Sequence, residues 1–214
     1  MRLFLIRHAE SVANAQGRWQ GHADFPLSEH GERQAEKVAE AIKAAGLELP
    51  AIYSSPLQRA RATADAIAKA TGADITEWDA LKEFDVGAFS GRTLEEIRAE
   101  NANWVSGFEK TRDWHQVPGA ETPADRAKRA LGVIEHLLNV HPDGSEVICV
   151  THGGIMQFFL AAILETERVW GVHPGNTAVF EFKLHREEDA TGRAHLNPYL
   201  CRIERFNDVS HLNP

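Results

Sequence analysis

Residues 3–6 (LFLI) are apolar at every position and are closed on both sides by arginine, Arg2 and Arg7. A run this short with no polar face suits a strand buried on both sides, as in a parallel sheet covered by helices, although periodicity alone does not exclude a helix. If it is a strand, Arg7 and His8 stand at its carboxyl end, the edge at which open α/β sheets bind ligands.

The rest of the chain alternates between strand-like and helix-like segments. Residues 28–46 read as a helix, with Ser28 as N-cap, a stripe of Ala35, Val38, Ala39 and Ile42, and Gly46 as its end. A short strand ending near Ser54 precedes a second helix, with Pro56 at its start and Gly72 as C-cap. A third strand-like piece, 73–81, leads to a Thr93/Glu96 capping box. Thr122 and Pro123 open a long helix whose apolar stripe is read as Ala127, Leu131, Ile134, Leu137 and Leu138. After it, 145–164 reads as strand, turn and buried helix, followed by strands at 178–184, with period-two alternation, and 198–206. Residues 11–31 are too irregular for an element and 101–120 resist assignment. No repeat or linker appears. The expected fold is a three-layer α/β/α domain over 1–214, with a mostly parallel central sheet, helices on both faces and a substrate-pocket insert at about 84–122.

Among 214 residues, 31 acidic side chains outweigh 23 Lys and Arg, a net charge of -8 that argues against nucleic acid as partner. The opening MRLFLIRH is too short in apolar residues for a signal core, and no run approaches a membrane span, so the expected location is cytoplasmic and no membrane partner is expected. Cys149 and Cys201, both in apolar strand-like runs, are read as packed reduced thiols.

Four polar groups fall at strand ends or in the loops beyond them: Arg7 with His8, Arg59 after YSSP, Glu83 after the third strand, and His152 in VTHGG. A neutral histidine beside guanidiniums combines a nucleophile with an anion trap, because the Arg fork matches phosphate oxygens. Nearby positive charge lowers the pKa of His8. The amino terminus of the helix after Ser54 is placed to add its dipole. Glu83, flanked by Phe84 and near Phe89, is the candidate proton donor if partial burial raises its pKa.

Together LIRHAES followed by Asn14, SSPLQRARATA, LKEFDVGAFSG and VTHGG resemble the histidine phosphatase (phosphoglycerate-mutase-like) superfamily, from residue 3 to about 181. The resemblance implies a phosphorylated His8, phosphoryl binding by Arg7, Arg59 and His152, Glu83 as proton donor, and Asn14 at the phosphate. The stretch 18–31 resembles the family's first substrate loop, which points to Gln20 and Gly21; Gly153 follows the second histidine. Substrate-binding residues are thus Asn14, Gln20, Gly21 and Gly153. Residues 118–122 (PGAET) resemble the gating segment before the long helix.

The family usually carries glycine after the first histidine, where this chain has Ala9. It also lacks the Arg-rich insertion of cofactor-dependent mutases. Its cations between Glu83 and His152 are Arg92, Arg98, Lys110, Arg112, Arg126, Lys128 and Arg129, several read as solvated helix faces, so water is the favoured acceptor and a mutase the alternative. A non-catalytic phospho-ligand module is a further alternative. Eleven histidines raise a metal reading, but no HExxH, Cys-His spacing or carboxylate cluster supports one, and neither metal nor cofactor is expected. His22, His115, Trp19, Trp104 and Trp114 lie in pocket loops; Trp78 and Trp170 read as packing residues. The expected partner is a small phosphorylated metabolite, with a homodimer left open.

Overall fold

A computed structural model describes all residues except 112, 170, 189–193, 197–199 and 214. Arg112, Trp170 and the first residues of the expected last strand lie outside the described residues. Six strands form one sheet: β1 (Arg2–Arg7), β2 (Ala51–Ser54), β3 (Ile75–Glu77), β4 (Glu146–Thr151), β5 (Val179–Lys183) and, after a separate hairpin of β6 (Arg186–Glu188) with β7 (Ala194–Leu196), β8 (Arg202–Asp208). Their order is β3-β2-β4-β1-β5-β8, with the first four parallel and β5 and β8 antiparallel at one edge.

The apolar run of β1 is explained by its central place. Leu3 and Leu5 face α6 (Pro123–Val140) and α7 (Gly153–Ile163), whereas Phe4 and Ile6 face α2 (Glu29–Ala44) and α3 (Gln58–Thr71). All four are fully buried, each contributing about 1.5–3 kcal/mol by removal from water. Helices therefore cover both faces, and the connections leaving the neighbouring strands β1 and β4 run to opposite faces. That divergence opens a crevice beyond their carboxyl ends.

Several local expectations shift. A one-turn helix, α1 (Val12–Ala15), sits in the stretch read as irregular, closed by a Ser11/Asn14 capping box. Pro56 lies ahead of α3, whose N-cap is Leu57 with no side-chain cap of its own. In α6 the buried stripe runs through Arg126, Ala130, Val133, Ile134, Leu137 and Leu138, while Ala127 and Leu131 are exposed. The helix is rotated by one residue at its start because Arg126, a charge, takes an inward position. β5 is buried on both faces: Glu181 is covered and paired with Arg2 at 2.6 Å and Arg205 at 2.9 Å, replacing the expected polar, solvent-facing alternation. Cys149 is buried in β4, whereas Cys201 precedes β8 and is only partly covered.

Residues left unassigned form α5 (Ala102–Thr111) and a 3-10 turn at Trp114–Gln116, following α4 (Leu94–Glu100) with its Thr93/Glu96 box. This segment has its own apolar cluster, Phe84, Val86, Phe89, Ile97, Val105, Phe108 and Val117, with Trp19, Trp104 and Trp114 packed against it. No helix among the described residues is long and apolar enough to cross a membrane.

Candidate active site

Parallel pairing places Arg7 beside Thr151, and His8 N–H donates to the Thr151 carbonyl at 2.9 Å. His8 and His152 therefore leave adjacent strands side by side, and their ring centroids are 5.0 Å apart, close to the inter-strand spacing. Both rings are buried. Burial, then the charges of Arg59 and Arg7, hold the His8 pKa well below the usual imidazole value; burial, Arg59 and His8 do the same for His152. The sequence named charge as the cause for His8, but desolvation is the larger one.

His8 Nδ1 lies 2.6 Å from the Ala9 carbonyl oxygen. A carbonyl only accepts, so Nδ1 carries the proton and the lone pair is at Nε2. Ala9 is not among the residues with positive φ, so alanine follows the histidine without backbone strain, and its N–H donates to Thr63 Oγ1 at 3.0 Å.

Arg59 enters from the first turn of α3 and is 1% exposed. It donates through Nε to His152 Nδ1 at 3.2 Å, through Nη1 to the Ala23 carbonyl at 3.0 Å and through Nη2 to the Gly21 carbonyl at 2.9 Å. Burial pushes its pKa down to about 10. His152 Nε2 meets Ser55 Oγ at 2.8 Å, so both of its ring nitrogens are engaged within the protein and it lies behind Arg59, not at the cleft surface. Arg7 Nη1 donates to the Pro174 carbonyl at 2.6 Å, while its buried Nε has no hydrogen-bond partner. The dipole of α3 is already used: Asp24, from the substrate loop, accepts from Gln58 N–H at 2.8 Å and closes that helix end.

Glu83 is partly buried, as expected, but its surroundings are not simply apolar. Oε1 accepts from the N–H of Phe84 at 3.0 Å and of Ile155 at 2.8 Å, and Oε2 from Gly154 N–H at 2.9 Å. The carboxylate thus caps α7, whose N-cap His152 offers no side-chain bond. Gly154 is required there, because a Cβ would stand 2.2 Å from the Phe84 ring and 2.8 Å from Glu83 Oε1.

Arg7, His8, Arg59 and Glu83 line one cleft of about 980 Å³, together with Asn14, Gln20, Gly21 and Gly153. Asn14 Oδ1 is taken by Ser11 in the capping box, and Gln20 Oε1 accepts from Ser11 Oγ at 2.8 Å. Trp19 and Trp114 also line the cleft with Phe84 and Phe108, whereas Trp104, His22 and His115 do not. His22 instead donates to the Glu83 carbonyl at 2.8 Å. Trp78 packs on Tyr53, away from the cleft.

Among the mutase-type cations, Arg98 pairs with Glu109 and Arg129 with Glu121, while Lys110 and Lys128 are exposed. Arg126 departs from the solvated face expected of it: it is buried and lines the cleft. Its signal in the sequence was the apolar register of α6, which runs i, i+4, i+7, i+8 from Arg126 and not from Ala127. Asp24 and Ser55, the partners that close α3 and His152, gave no such signal. Among the described residues no group of three or more His, Cys, Asp or Glu converges as a metal site would require.

The chain is similar to known proteins over its whole length. It is 31% identical over 218 residues to the Cronobacter sakazakii protein named "Probable phosphoglycerate mutase GpmB", covering 100% of this chain and 95% of that one. A mycobacterial glucosyl-3-phosphoglycerate phosphatase structure superposes with TM-score 0.77 at 27% identity, covering 96% and 98% of the two chains. A phosphoserine phosphatase from Entamoeba histolytica in complex with 3-phosphoglyceric acid gives 0.71 at 28% identity, covering 99% and 98%. The family model for branch 1 matches residues 3–194, and with it the paired histidines and arginines at the sheet edge place this chain in the histidine phosphatase superfamily.

Proposed function

We propose that the chain hydrolyses small phosphate monoesters through a phosphohistidine at His8, without a metal ion or cofactor. The observation that carries this reading is the tautomer of His8: with Nδ1–H held by the Ala9 carbonyl, Nε2 is a neutral nucleophile in a cleft that also presents the guanidiniums of Arg7 and Arg59. Phosphoserine and the phosphoglycerates named for the similar phosphatases are monoesters of this kind.

In the first step Nε2 attacks phosphorus in line with the ester oxygen and the P–O bond breaks; Glu83, a carboxylate before the ester binds, passes to the departing alcohol the proton it takes up together with the ester. Arg7 and Arg59, whose guanidiniums line the cleft beside His8, offset the charge on the transferring oxygens. In the second step water attacks phosphorus, Glu83 takes its proton, the P–N bond breaks and His8 returns neutral. His152 acts behind this set by orienting Arg59 and the His8 ring. Asn14, Gln20, Gly21 and Gly153 shape the substrate end of the cleft.

The test is a rapid alkaline quench with chelator present. Labelled substrate leaves an alkali-stable, acid-labile phosphoryl group on the wild-type protein, and His8→Gln carries none and releases phosphate at least about 10³-fold more slowly. Undiminished turnover by His8→Gln ends the proposal. Mutase activity is the second reading, favoured by the name of the Cronobacter relative and by Arg126 in the cleft. Supplying 3-phosphoglycerate with 2,3-bisphosphoglycerate separates the two, since a mutase yields 2-phosphoglycerate and a phosphatase yields inorganic phosphate.

A further inference from the structure

Two of the arginines that line the cleft have no part in the chemistry above: Arg18, which is paired with Glu96 at 2.8 Å, and Arg126. Arg126 is 2% exposed, and its guanidinium carbon lies 3.6 Å from the centroid of the Phe84 ring, with Trp114 at 5.3 Å and Phe158 at 5.8 Å. Nη2 donates to the backbone carbonyl of Glu121, and Nε, fully covered, has no hydrogen-bond partner. No carboxylate among the described residues forms an ion pair with it.

The two acids whose charge reaches Arg126 are Glu121 and Glu83, and both are engaged elsewhere. Glu121 is held by a two-pronged bond from Arg129, at 3.0 and 2.7 Å. Glu83 accepts from the N–H of Phe84 and from those of Gly154 and Ile155 at the start of α7. A buried guanidinium without its own counter-anion is costly, and desolvation pushes the Arg126 pKa down to about 10. An aromatic face supports the cation but does not replace a fork-matched anion.

Position gives the direction of the missing partner. Phe84 follows Glu83 directly and both line the cleft with Arg126, so the guanidinium stacked on Phe84 stands next to the proton donor; if Glu83 faces the leaving oxygen, Arg126 is close to the alcohol part of the ester. We infer that Arg126 is a specificity determinant that binds a second anionic group on the leaving alcohol, a carboxylate or a second phosphoryl group, and so selects esters that carry one. The inference rests on the preceding reading that Glu83 faces the leaving oxygen.

The test compares 3-phosphoglycerate with glycerol 3-phosphate, which differ by a carboxylate against a hydroxymethyl group, and adds 1,3-propanediol bisphosphate as the phosphoryl case. The wild-type protein is expected to favour at least one of the anionic esters over glycerol 3-phosphate at least tenfold in kcat/KM, mainly through KM. Arg126→Met, which keeps an unbranched chain against Phe84, is expected to lower that ratio at least tenfold, and Arg126→Lys to restore part of it. Which anionic ester shows the effect tells carboxylate from phosphoryl. A wild-type ratio near one, or a ratio within twofold of wild type in Arg126→Met, overturns the inference. A merely structural role would slow all three esters together and leave the ratio in place.

Binding gives a readout independent of turnover. If no ester releases phosphate, the hydrolytic reading fails while Arg126 is still tested: the anionic ester should raise the wild-type melting temperature more than glycerol 3-phosphate does, and Arg126→Met should erase the difference. Equal shifts in the wild-type protein overturn the inference.

Discussion

Replacing Glu83 by Gln removes a charge while nearly preserving shape, and the structure fixes which bonds survive. With the amide oxygen in the place of Oε1, the Phe84 and Ile155 N–H bonds remain and the new NH2 group confronts the Gly154 N–H; the flipped amide would confront two donors instead. One charge-assisted bond and the anion at the α7 amino terminus are lost, together about 2–3 kcal/mol. For a chain of this size that is a melting-temperature drop of roughly 4–12 °C. The same change has the opposite effect on anions. Glu83 acts on the buried guanidiniums of Arg7, Arg59 and Arg126, so its loss leaves the cleft more positive. Inorganic phosphate should therefore bind more tightly, by roughly threefold or more at low salt. In turnover, alkyl esters should slow by about 10²–10⁴ and p-nitrophenyl phosphate far less, because its leaving group departs without a proton. Thermal melts with and without phosphate, followed by kcat/KM for the two ester types, read all three effects. An unchanged melting temperature with weakened phosphate binding would refute the placement of this carboxylate, and equal kinetic loss on both esters would refute its acid role.

Two further outcomes follow from the buried groups. Because His8 and His152 are held neutral with pKa values below those of the unfolded chain, the unfolded state binds more protons in mild acid. Their contribution to stability is complete above about pH 6.5 and falls as pH drops, by up to about 1.4 kcal/mol per unit for each histidine. Urea unfolding between pH 7.5 and 5 should show a shallower pH slope in His8→Gln than in wild type, and an identical slope would contradict the buried neutral state. Asp24→Ala should cost about 1 kcal/mol, since the N-cap Leu57 offers α3 no other side-chain acceptor. It should also raise KM, because Arg59 grips the same loop at Gly21 and Ala23, just before Asp24; a lower melting temperature with unchanged KM would separate the two roles.

Signals carried by a few neighbouring residues were readable without a structure. The unbroken apolar runs of β1 and β4, the caps at Ser28, Thr93 and Thr122 and the left-handed Gly72 depend on local backbone chemistry and a fixed period, and from them came the elements, the layered sheet and the placing of His8 and His152 at one edge. What tertiary structure alone decided is how distant groups satisfy one another. Asp24 closes a helix 34 residues away, Glu83 takes two of its donors from α7 more than 70 residues away, and Arg126 turns inward onto Phe84 from a helix on which Asp125 and Lys128 face water. A charge or a carboxyl oxygen has no periodic signature; its role depends on which partners the packing brings within about 3 Å, and that distance exists only once the layers have closed.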